Sequence, residues 1–324
     1  MSLTQSRSMG AGTTRAAAAS SLPKLVALAW SGASTNVYTS STGTSWTKTN
    51  RTTPTVFSNA SPGGIAPSEL TSNGTSLLVA QGGYTAITND MSTWTSGTAT
   101  GACQCYWNGS TWVASGSNQN TTTFNISTST DGSTWTSRFT GTSSETSGRG
   151  IYAGTYNVLT SSDGIYYTST ADGSSGWTKK VILAASTMQG VAHNGSRFVV
   201  VGQDSSGNPR IYQATAPTAS FSVATVTGAT APWYDVAWNG TTFVAVGGNG
   251  TNGQIATSTN AVSWTLQSAV SSSNDFYSVC WSTSLSLFVG STIGGLIYTS
   301  PDGVTWTSRY TDSGQFIAGI TATS

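Results

Sequence analysis

Few residues in this chain could do chemistry: nine Asp, two Glu, a single His and three Cys among 324 residues. Glycoside hydrolysis needs two carboxylates facing each other across a cleft, so it matters how many of the acids are free. Four stand in one recurring frame: Thr88-Asn-Asp-Met-Ser-Thr-Trp94, Ser129-Thr-Asp-Gly-Ser-Thr-Trp135, Thr170-Ala-Asp-Gly-Ser-Ser-Gly-Trp177 and Ser300-Pro-Asp-Gly-Val-Thr-Trp306. An Asp so placed bonds amides of its own turn, Gly supplies a positive φ, and the Trp buries a large aromatic face. Asp90, Asp131, Asp172 and Asp302, with Trp94, Trp135, Trp177 and Trp306, therefore read as structural. Glu69 and Glu145 sit in no recognisable catalytic setting. His193 would be the only general base of its type. Related segments carry Trp107, Trp238 or Trp281 at its position, so it reads as a replacement for an aromatic ring. No Ser or Cys has a partner histidine implied by spacing. Cys103, Cys105 and Cys280 read as buried free thiols, with Cys103 and Cys105 on one face of a strand. A four-ligand zinc site is not expected, nor any other metal or cofactor, and the chain is expected not to be an enzyme.

The elements that position these residues form a repeat. Trp46, Trp94, Trp135, Trp177, Phe221, Trp264 and Trp306 mark seven units of about 43 residues, the length of a four-stranded propeller blade. The parts recur in order, as in Tyr234-Asp-Val-Ala-Trp-Asn-Gly followed by Phe243-Val-Ala-Val-Gly-Gly, and again from Tyr277 and from Gly190. In each unit a first run ends in a turn such as Asn73-Gly74, Asn108-Gly109, Asn194-Gly195 or Asn239-Gly240, the type I′ hairpin signal. The second and third strands follow, and a fourth starts at the aromatic residue. Unit 1 lacks a first strand, and Gln315-Phe-Ile-Ala-Gly-Ile near the C-terminus supplies one. The expected fold is all-β: a seven-bladed propeller of four antiparallel strands per blade over residues 23–324, its first blade completed by the C-terminal strand. Units 1, 5 and 6 lack the Asp of the turn (Thr42, no clear equivalent, Asn260), so that turn is expected to be degenerate there.

The Ser-x-Asp-Gly-x-x-Trp frame resembles the Asp-box, or bacterial neuraminidase, repeat, over nearly the whole chain from about residue 24. A sialidase would bring an arginine triad, a Tyr–Glu nucleophile pair and an Asp acid/base. None is recognisable among eight Arg and two Glu. Arg138 and Arg309 share one repeat position and read as edge-strand charges that block strand addition. The longer pattern Trp-Asn-Gly-x-x-Phe-Val-Ala-Val-Gly through Asp-Gly-x-x-Trp-Thr resembles repeats of bacteriophage tail-fibre, tailspike-associated and capsid-decoration proteins.

Composition narrows the partners. Charged residues are 7% of the chain and net charge is +1, with no basic stripe to neutralise phosphates, which excludes nucleic acid. No apolar run is long enough to insert in a membrane. Ser and Thr supply 53 and 56 residues, an extracellular-looking surface. The first 22 residues are polar and small, contain no apolar stretch of the kind a secretory signal needs, and read as a docking arm. A virion protein reconciles these features, because it is made in the cytosol and works outside after lysis. The connections of residues 50–66, 116–123, 141–149, 202–210, 247–254 and 270–276 are long and unequal and share one face, where binding is usually placed. Trp233, Tyr234, Asp275, Phe276, Arg149, Asp204 and Arg210 are the candidate ligand residues there, as rings and isolated polar groups suited to sugars. The expectation is a non-enzymatic bacteriophage virion protein, anchored to other virion proteins by residues 1–22, whose propeller face contacts host-surface glycan. The alternatives are a secreted lectin-like propeller, a purely architectural decoration protein with no ligand, and a sialidase-type glycosidase.

Overall fold

In the computed structural model, which describes residues 22–30, 35–52, 69–118, 123–141, 145, 147–184, 186–251, 253–268, 270 and 274–323, the repeat closes into a ring. Seven four-stranded antiparallel sheets form the blades. Blade 1 combines β1 (Leu25–Trp30), β2 (Thr35–Ser40) and β3 (Thr47–Arg51) with the last strand of the chain. Blades 2 to 7 follow as β4–β7 (69–98), β8–β11 (104–140), β12–β15 (147–181), β16–β19 (187–224), β20–β23 (233–266) and β24–β27 (276–311). The last strand, β28 (Phe316–Ala322), pairs antiparallel with β1, Leu25 opposite Ala322 and Trp30 opposite Phe316. Among the described residues no helix is long and apolar enough to cross a membrane.

Strand composition follows position in the blade. A middle strand such as β21 (Phe243–Gly248, FVAVGG) is buried at every residue, because both faces of its sheet are covered by neighbouring blades. An outermost strand such as β3 is mostly exposed. Six of the twelve Lys and Arg lie on outer strands: Lys48, Arg51, Arg138, Lys179, Lys180 and Arg309. Cations on an edge oppose pairing with another chain. Arg138 Nε donates to Thr128 Oγ1 at 2.7 Å and Arg309 Nε to Thr299 Oγ1 at 2.8 Å, so both lie on their own blade.

The core is divided into seven clusters, one at each blade interface. The aromatic that opens each outer strand packs toward the preceding blade. Trp135 of blade 3 donates its indole N–H to Thr85 Oγ1 of blade 2 at 3.0 Å, and Trp306 of blade 7 packs with blade 6 residues Val244, Val246 and Ile255. The turn before it is the expected carboxylate turn. Asp131 Oδ1 accepts from the amides of Ser133 (2.8 Å) and Thr134 (2.7 Å), and Trp135 Nε1 donates to the Gly132 carbonyl at 3.2 Å. Its supposed degeneracy is smaller than the sequence suggests. Asn260 Oδ1 accepts from the amides of Val262 and Ser263, both at 2.9 Å. Thr42 Oγ1 accepts from those of Thr44 (3.3 Å) and Ser45 (3.4 Å). An acceptor at the right height suffices; the charge is dispensable.

The docking arm lies outside the described residues except for its last member. Leu22 is buried against Val26, Leu28 and Leu70, so the ring begins at residue 22. Cys105 and Cys280 are buried free thiols and Cys103 is a half-buried one. Cys103 precedes β8 (Gln104–Trp107) rather than lying in it.

Candidate functional site

Inner strands line the axis of a propeller, and here they share an irregularity. The pairing register shifts between Ser147 and Gly150 in β12, Met188 and Gly190 in β16, Trp233 and Asp235 in β20, and Phe276 and Ser278 in β24. The β1–β28 pair shifts at the same height. A bulge sets two residues opposite one and re-aims a side chain. The re-aimed residues are Arg149, Gln189, Tyr234 and Tyr277. Three of them meet although their blades do not all adjoin. The Arg149 guanidinium lies 5.8 Å from the Tyr277 ring centre, and its Nη2 donates to the Tyr277 carbonyl at 3.2 Å. The Tyr234 and Tyr277 rings are 5.4 Å apart, and Phe316 stands edge-on to Tyr277 at 4.8 Å. Gln189 is partly exposed at the equivalent place.

One residue further along, the inner strands are knitted together. Asp235 Oδ2 accepts from the Val279 amide of blade 7 at 2.6 Å, and Ser278 Oγ accepts from the Ile320 amide of β28 at 3.3 Å. At Gly190 a Cβ would lie 2.8 Å from Asp235 Cα, so that position takes no side chain. Glu69 and Asp235 both pair with Arg149, at 3.2 Å to Nη1 and 3.4 Å to Nε. All three side chains are less than a tenth exposed, and they tie blades 2, 4 and 6 together across the axis. Two carboxylates face one guanidinium. Gln104, at the same register position in blade 3, is 6% exposed, and its Oε1 has no hydrogen-bond partner among the described residues. Burial pushes the Tyr277 phenol up to about 12. It raises the Tyr234 phenol as well, with the nearby Asp275 charge adding to the effect.

The candidate rim residues separate into three groups. Arg149 and Tyr234 join the axial cluster; Arg149 belongs to strand β12, not to a connection, and is an ion-paired buried group. Trp233 and Phe276 are core residues rather than rim aromatics. Trp233 is 1% exposed at the interface of blades 5 and 6, and Phe276 is 2% exposed, 5.3 Å from Trp306 and 5.4 Å from Tyr298. Each opens an inner strand with its ring turned into a blade interface, where a flat apolar surface is best satisfied. Asp275 is buried over Gly248, accepts from the Gly250 amide at 2.6 Å and keeps Oδ1 without a partner among the described residues. Burial raises its carboxyl above the usual range.

Asp204 and Arg210 remain on the outer face as a pair at 2.5 Å. They stand beside a cleft of about 320 Å³ between blades 5 and 6, lined by Asn208, Arg210, Val223, Val226, Ala229 and the edge of Trp233. The spans that were expected to be long connections are shorter than they look, because residues 116–118, 147–149, 202–203 and 209–210 belong to strands.

Glu69, Gln104, Gln189, Asp235 and Tyr277 were not candidates from the sequence. A signal for most of them was present: Arg149-Gly-Ile, Gln189-Gly-Val, Tyr234-Asp-Val and Tyr277-Ser-Val align in one column of the repeat. Among the described residues no group of three or more His, Cys, Asp or Glu could hold a metal ion.

No protein-family model matches this sequence, and a comparison with curated proteins finds no match. Solved structures match in number, 751 chains in all, so the fold by itself discriminates little about function. One of them, described as YCF48 bound to D1 peptide, superposes with a TM-score of 0.53 at 15% sequence identity, covering 74% of this chain and 80% of that one. A likeness at this identity speaks for the propeller fold and for nothing finer.

Proposed function

We propose that this chain is a non-enzymatic structural protein of a bacteriophage particle, joined to other virion proteins through residues 1–22, and that the face where the inner strands begin holds host-surface glycan. The observation that carries the non-enzymatic reading is the engagement of all eleven carboxylates. Asp90, Asp131, Asp172 and Asp302 accept backbone amides of their own turns. Asp204 pairs with Arg210, Asp312 with Lys48, and Asp163 and Glu145 with Lys179. Glu69 and Asp235 are locked onto Arg149, and Asp275 accepts the Gly250 amide. A glycosidase needs one carboxyl free to give up its proton and a second free to attack or to activate water. Carboxylates held by cations and by amides of their own turns are poor candidates for either part, and Asp275, whose carboxyl burial raises, is left without the second free carboxylate that the reaction needs.

The glycan part rests on the contrast between the two faces. One is built of tight, repeated Asn-Gly and carboxylate turns. The other brings Tyr234, Tyr277 and Phe316 together, partly exposed, beside polar groups. Aromatic faces meet the C–H face of a sugar ring, and neighbouring acceptors meet its hydroxyls. The virion part rests on the resemblance of the repeat and on the Ser/Thr-rich, charge-poor composition.

The test has two arms. Deleting residues 1–21 is expected to leave the circular dichroism spectrum and melting temperature unchanged while particles assemble without the protein; normal incorporation would defeat the docking role. The full chain on a glycan array is expected to retain a defined subset of saccharides, and an array with no retained saccharide would defeat the glycan role.

A further inference from the structure

The axial cluster has a sign, and the sign selects a ligand. We infer that the mouth of the ring accommodates a sugar bearing a free ammonium, an aminohexose unit, and rejects acidic sugars; this rests on the glycan reading above and deepens it. Around the Tyr234–Tyr277–Phe316 rings stand the carboxylates of Glu69, Asp235 and Asp275, against Arg149 as the one cation there among the described residues. That cation is already consumed. Its Nη1 meets Glu69, its Nε meets Asp235 and its Nη2 meets the Tyr277 carbonyl. An incoming carboxylate would find no guanidinium free to receive it, and it would enter a region of net negative charge.

The unmatched groups point the same way. Gln104 and Asp275 are 6% and 3% exposed, and each keeps one buried oxygen, Oε1 and Oδ1, without a partner among the described residues. Gln104 lies on the inner strand between those carrying Glu69 and Arg149, at the register position of Glu69 and Asp235, so its side chain faces the same cluster. Both unmatched atoms are acceptors, which an incoming donor can satisfy. An ammonium brings three N–H donors with no lone pair to satisfy, and a cation over tyrosine faces is attracted by the negative face of each ring, more strongly the further it is desolvated. A neutral N-acetylated sugar keeps the ring contact and gives up the charge.

The test is calorimetric titration of the full chain, at mildly acidic pH where the amine is protonated, with a β-1,4-linked glucosamine tetramer, with its fully N-acetylated counterpart and with a sialylated lactose. The glucosamine form is expected to bind at least about tenfold more tightly than the N-acetylated form, a difference of about 1.4 kcal/mol, and the sialylated sugar not at all. Gln189→Lys places a second cation at a partly exposed position of the mouth and is expected to abolish that preference without changing the melting temperature. Tyr277→Leu is expected to weaken both oligomers while the preference for the amine persists. Equal or weaker binding of the glucosamine form overturns the inference while leaving glycan binding intact, and so does an undiminished preference in Gln189→Lys. Failure of every saccharide to bind overturns the glycan reading with it.

Discussion

His193 stands where three other blades carry tryptophan, and its surroundings show how a titratable side chain is made to serve as a ring. It lies 4.3 Å from Phe198, as Trp238 lies 4.4 Å from Phe243 and as Trp107 and Trp281 each lie 4.8 Å from their own cross-strand partners. Its Nδ1 accepts the Gly195 amide at 3.1 Å, a bond that only an unprotonated Nδ1 can make. Burial pushes the imidazole down to about 4, against an unfolded value of about 6.5. The unfolded chain therefore binds more protons than the folded one between those values, and stability falls as pH is lowered through that window. Over the whole window the loss is on the order of 3 kcal/mol. We expect urea unfolding to show this slope between pH 6.5 and 4 and the His193→Trp variant to lose most of it; an identical slope in the variant would place the titration elsewhere. The carboxylate turns respond later, since their amides hold Asp90 and Asp131 well below the usual carboxylate range. The turn glycine also depends on its neighbours. Ala261 takes φ 68° at that position, whereas a Cβ on Gly303 would meet Val244 Cγ2 at 2.4 Å.

At the scale of the element, the inner strand does what its sequence least advertises. The middle and outer strands were legible. Phe243–Gly248 reads as a fully buried run, the Asn-Gly pairs mark hairpins, and the spacing of the aromatics counts the blades. The candidate site was legible only in part, because a bulge breaks the alternation by which facing is inferred. Read by simple alternation, Trp233 falls on the face of Asp235 and Ala237, and Phe276 on that of Ser278 and Cys280; with the extra residue inserted each turns into the other blade interface, and Tyr234 and Tyr277 take the axis. Arg149 looked like a loop residue because Ser143–Gly150 is rich in turn formers, and its carboxylate partners come from blades 80 residues before it and 86 after it in the chain, out of reach of any local pattern. The triad makes a sharp expectation. Arg149→Met leaves Glu69 and Asp235 as uncompensated buried charges, which costs about 3–5 kcal/mol. The triple variant Arg149→Met, Glu69→Gln, Asp235→Asn removes all three charges and is expected to recover most of that loss in guanidinium unfolding. A triple variant as unstable as the single one would show that the guanidinium acts there through its packing and not through its charge.

For the whole molecule, stability is cyclic. Linear repeat arrays sum the stabilities of units and nearest-neighbour interfaces and leave two ends to be capped; a ring has no ends, and each of these blades has two covered faces. The closure is made by β28, which touches three blades at once. It pairs with β1 along the whole strand, accepts the Ser291 hydroxyl at the Ile317 carbonyl (3.0 Å) in blade 7, and runs on to Thr323, whose amide donates to the Lys24 carbonyl at 3.0 Å and whose carbonyl accepts from Ser72 of blade 2. Its Ile317 and Ile320 are fully buried in the interface of blades 7 and 1. Removing residues 315–324 therefore uncovers the edge of β1, whose Leu25–Ala29 are at most 1% exposed in the closed ring, and parts the two blades that β28 holds together. An uncovered apolar edge strand recruits other chains, so the truncated protein is expected to associate with rising concentration and to lose its single unfolding transition. A synthetic peptide of residues 315–324 added in trans can satisfy the same register, because β28 enters the ring as a separate strand. It is expected to return the truncated chain to a monomer with a single transition in sedimentation and melting experiments. The same peptide with Ile317→Asp and Ile320→Asp keeps its backbone donors but would have to bury two carboxylates in that interface, and it is expected to fail. Rescue by both peptides would show that hydrogen bonding alone closes the ring; rescue by neither would show that closure requires the strand to be tethered.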